Sequence, residues 1–244
     1  MLESRPVKPP PQQGSRTPHP TVTVLLALGV VALDAALLAA ALGGLAALLA
    51  HPRALSLLAL WAAGGVTLAL LRPVRGHDAV AVERESPMVL IALLLIPLAT
   101  PPTAALGERL ALWTLPGGAP VRWAGVALSG AGLALRIAAM AQLGPRFSPR
   151  VAMQREHALE TRGLYARVRH PGYAGAWLAA LGGAIAFGNA LAMPLVAAMG
   201  LMLWRRAGRE EAMLERHFGD DFRHYRARTG RFVPRFVSSP TPRS

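Results

Sequence analysis

The 244-residue chain has no cysteine and one lysine, and charged side chains make up only 16% of it. Without cysteine there is no disulfide scaffold, zinc–thiolate site, iron–sulfur cluster or cysteine nucleophile. A soluble domain carries about 25% charged residues. The shortfall is concentrated in long runs: Pro171–Trp204, Ser86–Gly107 and Ala54–Leu71 contain no Asp, Glu, Lys or Arg. A helix that is apolar on every face suits lipid rather than a soluble core. These absences exclude an ordinary soluble enzyme, a disordered chain and a collagen-like repeat.

Acidic residues are also scarce, 13 against 26 basic ones, for a net charge of +13. Such a balance can mark a nucleic-acid binder, but here the arginines have a membrane explanation, and no nucleic-acid partner is expected. The preference for Arg over Lys, with Ala, Leu and Gly abundant, is the composition of a GC-rich genome and points to a bacterial source.

Residues 1–20 hold six prolines and few apolar side chains, and read as a disordered tail. The apolar run that follows is too long for a signal-peptide core. Hydropathy then predicts about six spans, at 21–50, 54–71, 87–106, 119–143, 171–187 and 189–204. The third is expected to bend at Pro97. The last two form a hairpin turning at Gly188-Asn189. Residues 205–228 read as a charged helix, and 238–244 as a loose tail. The expected fold is therefore all-α: a polytopic transmembrane helical bundle with a cytoplasmic C-terminal helical region. Residues 21–143 form its N-terminal helices and 144–237 the region that carries the chemistry. Arginines crowd the loop at 72–86, the segment at 144–170 and the C-terminal region, whereas the other side has only Arg53, Arg109 and Arg122. That asymmetry predicts an integral protein of a bacterial inner membrane with both termini cytoplasmic.

Chemical groups gather in two stretches. The first is Gly163-Leu164-Tyr165-Ala166-Arg167-Val168-Arg169-His170-Pro171-Gly172-Tyr173. Pro171 suits the first position of a helix. His170 then sits at that helix's N-terminus, where N–H groups and the positive dipole end attract an anion. The second is Arg206-Ala207-Gly208-Arg209-Glu210-Glu211, followed by Phe218-Gly219-Asp220-Asp221-Phe222-Arg223-His224-Tyr225. Arg206 and Glu210 are four apart and share a helix face. The hairpin would return them to the level of His170. Taken singly, the first stretch reads equally as a basic membrane-proximal turn with an interfacial tyrosine, and the second as a solvated intrahelical pair.

Together they resemble a known family. Gly-x-Tyr-x-x-x-Arg-His-Pro-x-Tyr, a helical hairpin, Glu-Glu-x-x-Leu, and Phe-Gly-x-x-aromatic-x-x-Tyr look like the isoprenylcysteine carboxyl methyltransferase family. These are integral membrane enzymes that use S-adenosylmethionine. Leu143-Gly144-Pro145-Arg146-Phe147-Ser148 and His157-Ala158-Leu159 also match, so the resemblance covers about 133–235. It implies that His157, Ala158, Leu159 and Glu160 line the cofactor, and that Tyr165, His170, Pro171, Gly172 and Tyr173 contact it. Glu210 would hydrogen-bond it. Arg206 would contact the methyl acceptor, a lipophilic carboxylate or a small thiol, and Arg206, His170 and Tyr173 are the catalytic candidates. Glu160 departs from the family's usual apolar residue.

Two other readings are carried. Membrane reductases of sterol or steroid double bonds, which use NADPH, resemble Arg-His-Pro-Asn-Tyr followed by Gly-Glu. Here Gly172 replaces the Asn and Ala176 the Glu. A non-catalytic membrane protein is the other.

Several residues read as structural. Gly43–Gly44, Gly64–Gly65 and Gly182–Gly183 are expected to serve helix packing. Asp34, inside a span, is a functional candidate by default, but as a single carboxylate with no evident partner it is read as serving helix packing. Arg136 can snorkel or face a head group. His217 and His224 lack a third ligand, and no metal is expected. Membrane lipids are the remaining partner, met by the Arg-rich 144–170 stretch.

Overall fold

The computed structural model describes residues 20–71, 79–82, 86–144, 152–154 and 159–235. The two tails, most of the segment at 144–158, and with it His157 and Ala158, lie outside the described residues. The fold is helical, in chain order α1 (Pro20–Leu42), α2 (Leu45–Leu49), α3 (Pro52–Leu70), α4 (Pro87–Arg109), α5 (Gly118–Leu143), α6 (Pro171–Ala186), α7 (Met193–Phe218) and α8 (Asp220–Arg228). Four of these, α1, α3, α4 and α5, are long and apolar enough to cross a membrane by length and composition. Leu25, Leu26, Ile91 and Leu95 are among the large apolar side chains exposed on α1 and α4, which suits surfaces that face lipid rather than water.

The expected 21–50 helix is broken. Gly43 and Gly44 adopt φ of 105° and 130°, end α1 and start the short α2. They are a chain break rather than a packing pair. Glycine is the residue that adopts such angles without a Cβ clash. The fold also departs from all-α by one strand pair, β1 (Ala79–Val82) with β2 (Ala152–Gln154), antiparallel, with Ala79 opposite Gln154 and Val82 opposite Ala152. The Ala-Val-Ala-Val alternation has the period of a strand, and the pair ties the α3–α4 connection to the α5–α6 connection. At the other end the α6–α7 turn bonds the 110–117 loop, with Leu115 N–H donating to the Gly188 carbonyl and Ala190 N–H to that of Trp113. The connections thus alternate between two ends of an up-and-down bundle.

The tightest helix pair is α5 with α6. A Cβ added at Gly132 would lie 2.5 Å from the Ala179 nitrogen, and one at Gly175 would lie 2.5 Å from the Gly132 carbonyl oxygen. Gly125 and Gly182 meet in the same way one level away. Small residues let two backbones approach to van der Waals contact, which is how helices associate without a hydrophobic driving force between them. Gly182 is therefore the packing residue expected of it. Gly64 packs against Leu133, in the same role between α3 and α5. This interface also joins the helices on either side of residue 143.

The last long helix differs from expectation. α7 runs without interruption from Met193 past Trp204 to Phe218, so the apolar arm and the charged segment are one rod. Gly219, at φ 52°, then turns the chain into α8. Phe222 and Tyr225 bury α8 against the bundle, and the Tyr225 hydroxyl donates to the Tyr165 carbonyl at 2.7 Å. Each aromatic burial of this kind contributes roughly 1.5–3 kcal/mol of transfer free energy.

Candidate functional site: a tyrosine, an arginine and a glutamate on one cavity

The site is assembled from the first turn of α6, the middle of α7 and the chain just after α8. Pro171 starts α6, with His170 as the flanking residue. The His170 amide donates to the Arg231 carbonyl at 3.0 Å, and the amides of Tyr173 and Ala174 donate to the His170 carbonyl. The anion-binding helix end expected from the sequence is thus largely satisfied by the fold itself. Its side chains define the site instead.

Tyr173 is the hub. Its hydroxyl donates to Glu210 Oε2 at 2.9 Å and accepts from Arg206 Nε at 2.8 Å. Arg206 is only 5% exposed, so the pair four apart on α7 is not a solvated one: both members converge on a single phenol. His170 stacks on the Tyr173 ring with centroids 5.4 Å apart and planes 2° from parallel. Its Nδ1 lies 3.8 Å from Glu210 Oε2.

Glu211, the neighbour of Glu210, faces the other way into a charge cluster. Its Oε1 accepts from Arg169 Nε at 2.8 Å, from Arg231 Nε at 3.1 Å and from His170 Nε2 at 3.2 Å, and its Oε2 pairs with Arg231 Nη2. A carboxylate only accepts, so Nε2 carries the His170 hydrogen and the ring orientation is fixed. Burial by itself would push the Glu211 carboxyl up. Hydrogen bonds from His170, Arg231 and Arg169 outweigh it and hold the group well below the usual carboxylate range. His170, expected at the membrane surface, is 6% exposed and sits between this cluster, Tyr173 and the edge of Phe232.

The segment after α8 completes the site. Val168 and Gly230 form a parallel bridge, Arg169 Nη1 donates to the Thr229 carbonyl, and the Arg231 guanidinium lies 4.4 Å from the centre of the Trp204 ring. Sequence reasoning missed Glu211, Arg169, Arg231 and Phe232 as participants. The available signal was the adjacency of Glu210 and Glu211: on a helix, neighbours about 100° apart cannot face the same ligand.

A cavity of about 720 Å³ opens against these groups. Leu159, Glu160, Tyr165, His170, Gly172, Tyr173, Arg206 and Glu210 all line it. These are all the sequence-assigned site residues within the described segments except Pro171, which is buried as the helix start. Glu160 accepts from the Arg162 amide at 3.1 Å, which gives its unexpected carboxylate a partner. The chain has three tyrosines, and Tyr225 joins Tyr165 and Tyr173 on the wall. Burial pushes the phenols of Tyr165 and Tyr225 up, that of Tyr225 to about 12, so both act as neutral hydrogen-bonding groups. The Tyr165 hydroxyl donates to the Ala139 carbonyl at 3.3 Å. Gln142 holds the turn carrying Tyr165: its amide donates to the Arg162 carbonyl at 2.6 Å and its Oε1 accepts from Leu164 N–H at 3.0 Å. Arg136 also lines the cavity and donates to the Gly172 carbonyl at 3.2 Å, so it braces the first turn of α6 rather than reaching for the interface. His217 packs edge-on to Phe218 and His224 bonds the Asp220 carbonyl, away from the cavity.

Apart from Asp34 on α1, the rest of the wall is apolar and comes from α1, α3, α4 and α5, with Val30, Leu94, Pro97 and Leu133 among its residues, and from the apolar faces of α6 and α7. The fold and site together define an integral membrane protein with a ligand-sized cavity, its charged groups gathered at one end and its wall beyond them apolar but for Asp34. Residues 125–216, which include His170, Tyr173, Arg206 and Glu210, match the profile of the isoprenylcysteine carboxyl methyltransferase (ICMT) family. The chain is also similar to a protein-S-isoprenylcysteine O-methyltransferase of Schizosaccharomyces pombe, 41% identical over 106 residues. That match covers 41% of this chain and 44% of the relative, so the chain spans less than half of that protein's length. A solved structure of the eukaryotic intramembrane Ras methyltransferase ICMT, without a monobody, is 21% identical. It covers 73% of this chain and 67% of that one, at a TM-score of 0.48, a likeness too loose to fix the fold.

Proposed function

We infer that this protein is a membrane-embedded methyltransferase that carries a methyl group from S-adenosylmethionine to a lipophilic carboxylate of the isoprenylcysteine type. The observation that carries the reading is the convergence of the site residues on one cavity, charged at the end formed by α6 and α7 and apolar beyond it except at Asp34. The family match over 125–216 and the relative's name support it independently.

The donor set fits the cofactor. Glu210 keeps 31% of its side chain exposed and can accept hydrogen bonds from hydroxyl or amino groups. The Tyr165 and Tyr173 rings and Leu159 offer apolar faces beside it. When bound, the cofactor supplies a methyl group on a positively charged sulfur. Leu159, Glu160, Tyr165, His170, Gly172, Tyr173 and Glu210 would hold it, with His157 and Ala158 as further contacts. Tyr173 fixes the relative positions of Glu210 and Arg206. The fixed pair then aligns donor and acceptor, and alignment can contribute several kcal/mol. Arg206 offers a planar fork suited to a carboxylate. A carboxylate acceptor needs no general base. Opposite charges cancel as the methyl moves, which a water-poor pocket favours. His170, fixed by Glu211, positions the Tyr173 ring.

In this reading α1, α3, α4, α5, α6 and the apolar part of α7 are six spans, with both termini and the α6–α7 site on the cytoplasmic side of a bacterial inner membrane. α6 has 16 residues, roughly 24 Å at 1.5 Å per residue, so the bilayer thins or the hairpin stays short of the far face. Reporter fusions at residues 155 and 240 should both give cytoplasmic signals. A periplasmic signal at either strands the pocket away from cofactor and sinks the topology.

The deciding experiment titrates the purified protein with S-adenosylmethionine and with NADPH, then follows methyl ester formation on an S-prenylated cysteine. Binding of the first and not the second, with ester formed, is expected. NADPH binding with no methyl transfer would move the protein to the reductase class. Arg206→Lys should keep cofactor affinity within a few-fold but lower turnover on the carboxylate at least tenfold, about 1.4 kcal/mol in the barrier. A silent Arg206→Lys would point to a thiol acceptor.

A further inference from the structure

Asp34 was expected to serve helix packing. It lies in α1, is 8% exposed, and lines the cavity. Its Oδ1 is buried and has no hydrogen-bond partner, and among the described residues Asp34 makes no ion pair. An orphan carboxylate among apolar helices is costly in either protonation state. If ionised it lacks a counter-charge, and if protonated it still has an acceptor oxygen that meets no donor. Packing gives no reason to keep it, since an apolar residue of similar size would fill the space without that cost.

Its position says what the missing partner is attached to. On α1 the cavity wall runs along one face through Ala27, Val30, Val31 and Asp34, and Asp34 is the last member. α1 runs away from the end that carries Tyr173, so Asp34 marks the deep end of the apolar arm. Trp61 stands beside this arm on α3, but its indole N–H is directed to Ser129 Oγ at 3.4 Å. Arg136 is held by the Gly172 carbonyl. The remaining wall of the arm is hydrocarbon.

We propose that Asp34 is a specificity residue that binds a hydrogen-bond donor, a hydroxyl or an amine, on the distal part of the lipophilic acceptor. This rests on the methyl-transfer reading for the identity of the ligand. It departs from a plain isoprenyl acceptor, whose hydrocarbon chain has no donor to offer Asp34. The acceptor is then a molecule with two polar ends: a nucleophilic group near Arg206 and a donor group at the far end of an apolar chain.

The test uses three probes on the full chain in detergent: an S-prenylated cysteine, and the same compound with a hydroxyl or an amine at the end of the prenyl chain. Binding is measured by competition without cofactor. The wild type should bind one or both donor-bearing probes at least tenfold more tightly than the plain one. Asp34→Leu should bind all three alike and melt no lower than wild type, because it removes an unpartnered carboxylate. Asp34→Asn keeps the size and a carbonyl acceptor, so it should retain a hydroxyl preference and lose an amine preference. It also carries the test if Asp34→Leu fails to fold. Equal binding of all three probes by the wild type, or a preference that survives in Asp34→Leu, overturns the proposal. Failure of the methyl-transfer reading looks different: the donor preference holds in binding, and no probe is methylated when cofactor is added. A protein that binds none of the probes overturns both.

Discussion

Two carboxylates at opposite ends of the bundle are surrounded by the same set of partners. Glu211 meets Arg169, Arg231 and His170. Glu108 meets Arg53 and Arg122 at 2.8 Å each and His51 at 3.1 Å. Each cluster ties elements distant in sequence: Glu211 joins the start of α6 and the segment after α8 to α7, and Glu108 joins the starts of α3 and α5 to α4. The difference lies in what adjoins them. Arg169 and His170 line the cavity and Glu211 stands next to Glu210, whereas none of His51, Arg53, Glu108 and Arg122 lines it. Identical chemistry is thus a support for a site at one end and a clamp on helix ends at the other. Neither residue types nor charge balance separates the two roles; proximity to the cavity does.

Breaking the first cluster should have the largest effect. Glu211→Ala leaves two guanidiniums and an imidazole facing a hole in a nearly solvent-free position, and removing one partner of a buried pair costs about 3–5 kcal/mol. Denaturation in detergent should show that loss, with cofactor binding lost alongside. Retention of both stability and binding would show that the cluster supports nothing.

Tyr173→Phe sharpens the contrast, because it leaves the Glu211 cluster whole and removes only the hydroxyl between Arg206 and Glu210. Turnover should fall at least tenfold, about 1.4 kcal/mol in the barrier, with a melting temperature close to wild type. Unchanged turnover in a folded variant would remove Tyr173 from the site's machinery.

Glu108→Ala is the matched control. Its carboxylate is more exposed than that of Glu211, 17% against 4%, so the expected cost is about 1–3 kcal/mol of stability. Cofactor affinity per folded molecule should not change. A loss of affinity would couple the far end to the site.

The smallest expected effect is a difference in acid response. The Glu211 carboxyl is held below its ordinary 4.5 in the folded state. Its contribution is therefore complete above about pH 4.5 and is lost as pH falls towards the depressed folded value. Between wild type and Glu211→Gln, the stability gap should be constant above about pH 5 and narrow below 4.5. A gap that widens on acidification would reverse the assignment of charge.

Much of this was written in the sequence. The uncharged runs announced apolar helices because lipid demands apolarity on every face, a signal that needs no knowledge of neighbours. The Arg-His-Pro-Gly-Tyr and Arg-x-x-x-Glu stretches, through the resemblance they carry together, pointed to His170, Tyr173, Arg206 and Glu210, and the structure brings all four to one cavity. Gly182 could be read as a packing residue because only its smallness mattered.

What the sequence left open was decided by contact. Gly43–Gly44 looked like another small pair, and only the backbone angles made them a break. The run from 189 to 228 became one long helix and a short one because Gly219, not the end of hydropathy, turns the chain. Arg206 and Glu210 could be read as an ordinary surface pair until Tyr173 was placed between them from another helix. Asp34 shows the limit most clearly. Its identity is visible in one letter, but its lack of a partner is a property of everything packed around it. The charge of a residue is local, whereas its burial and its partners are set by elements tens of residues away.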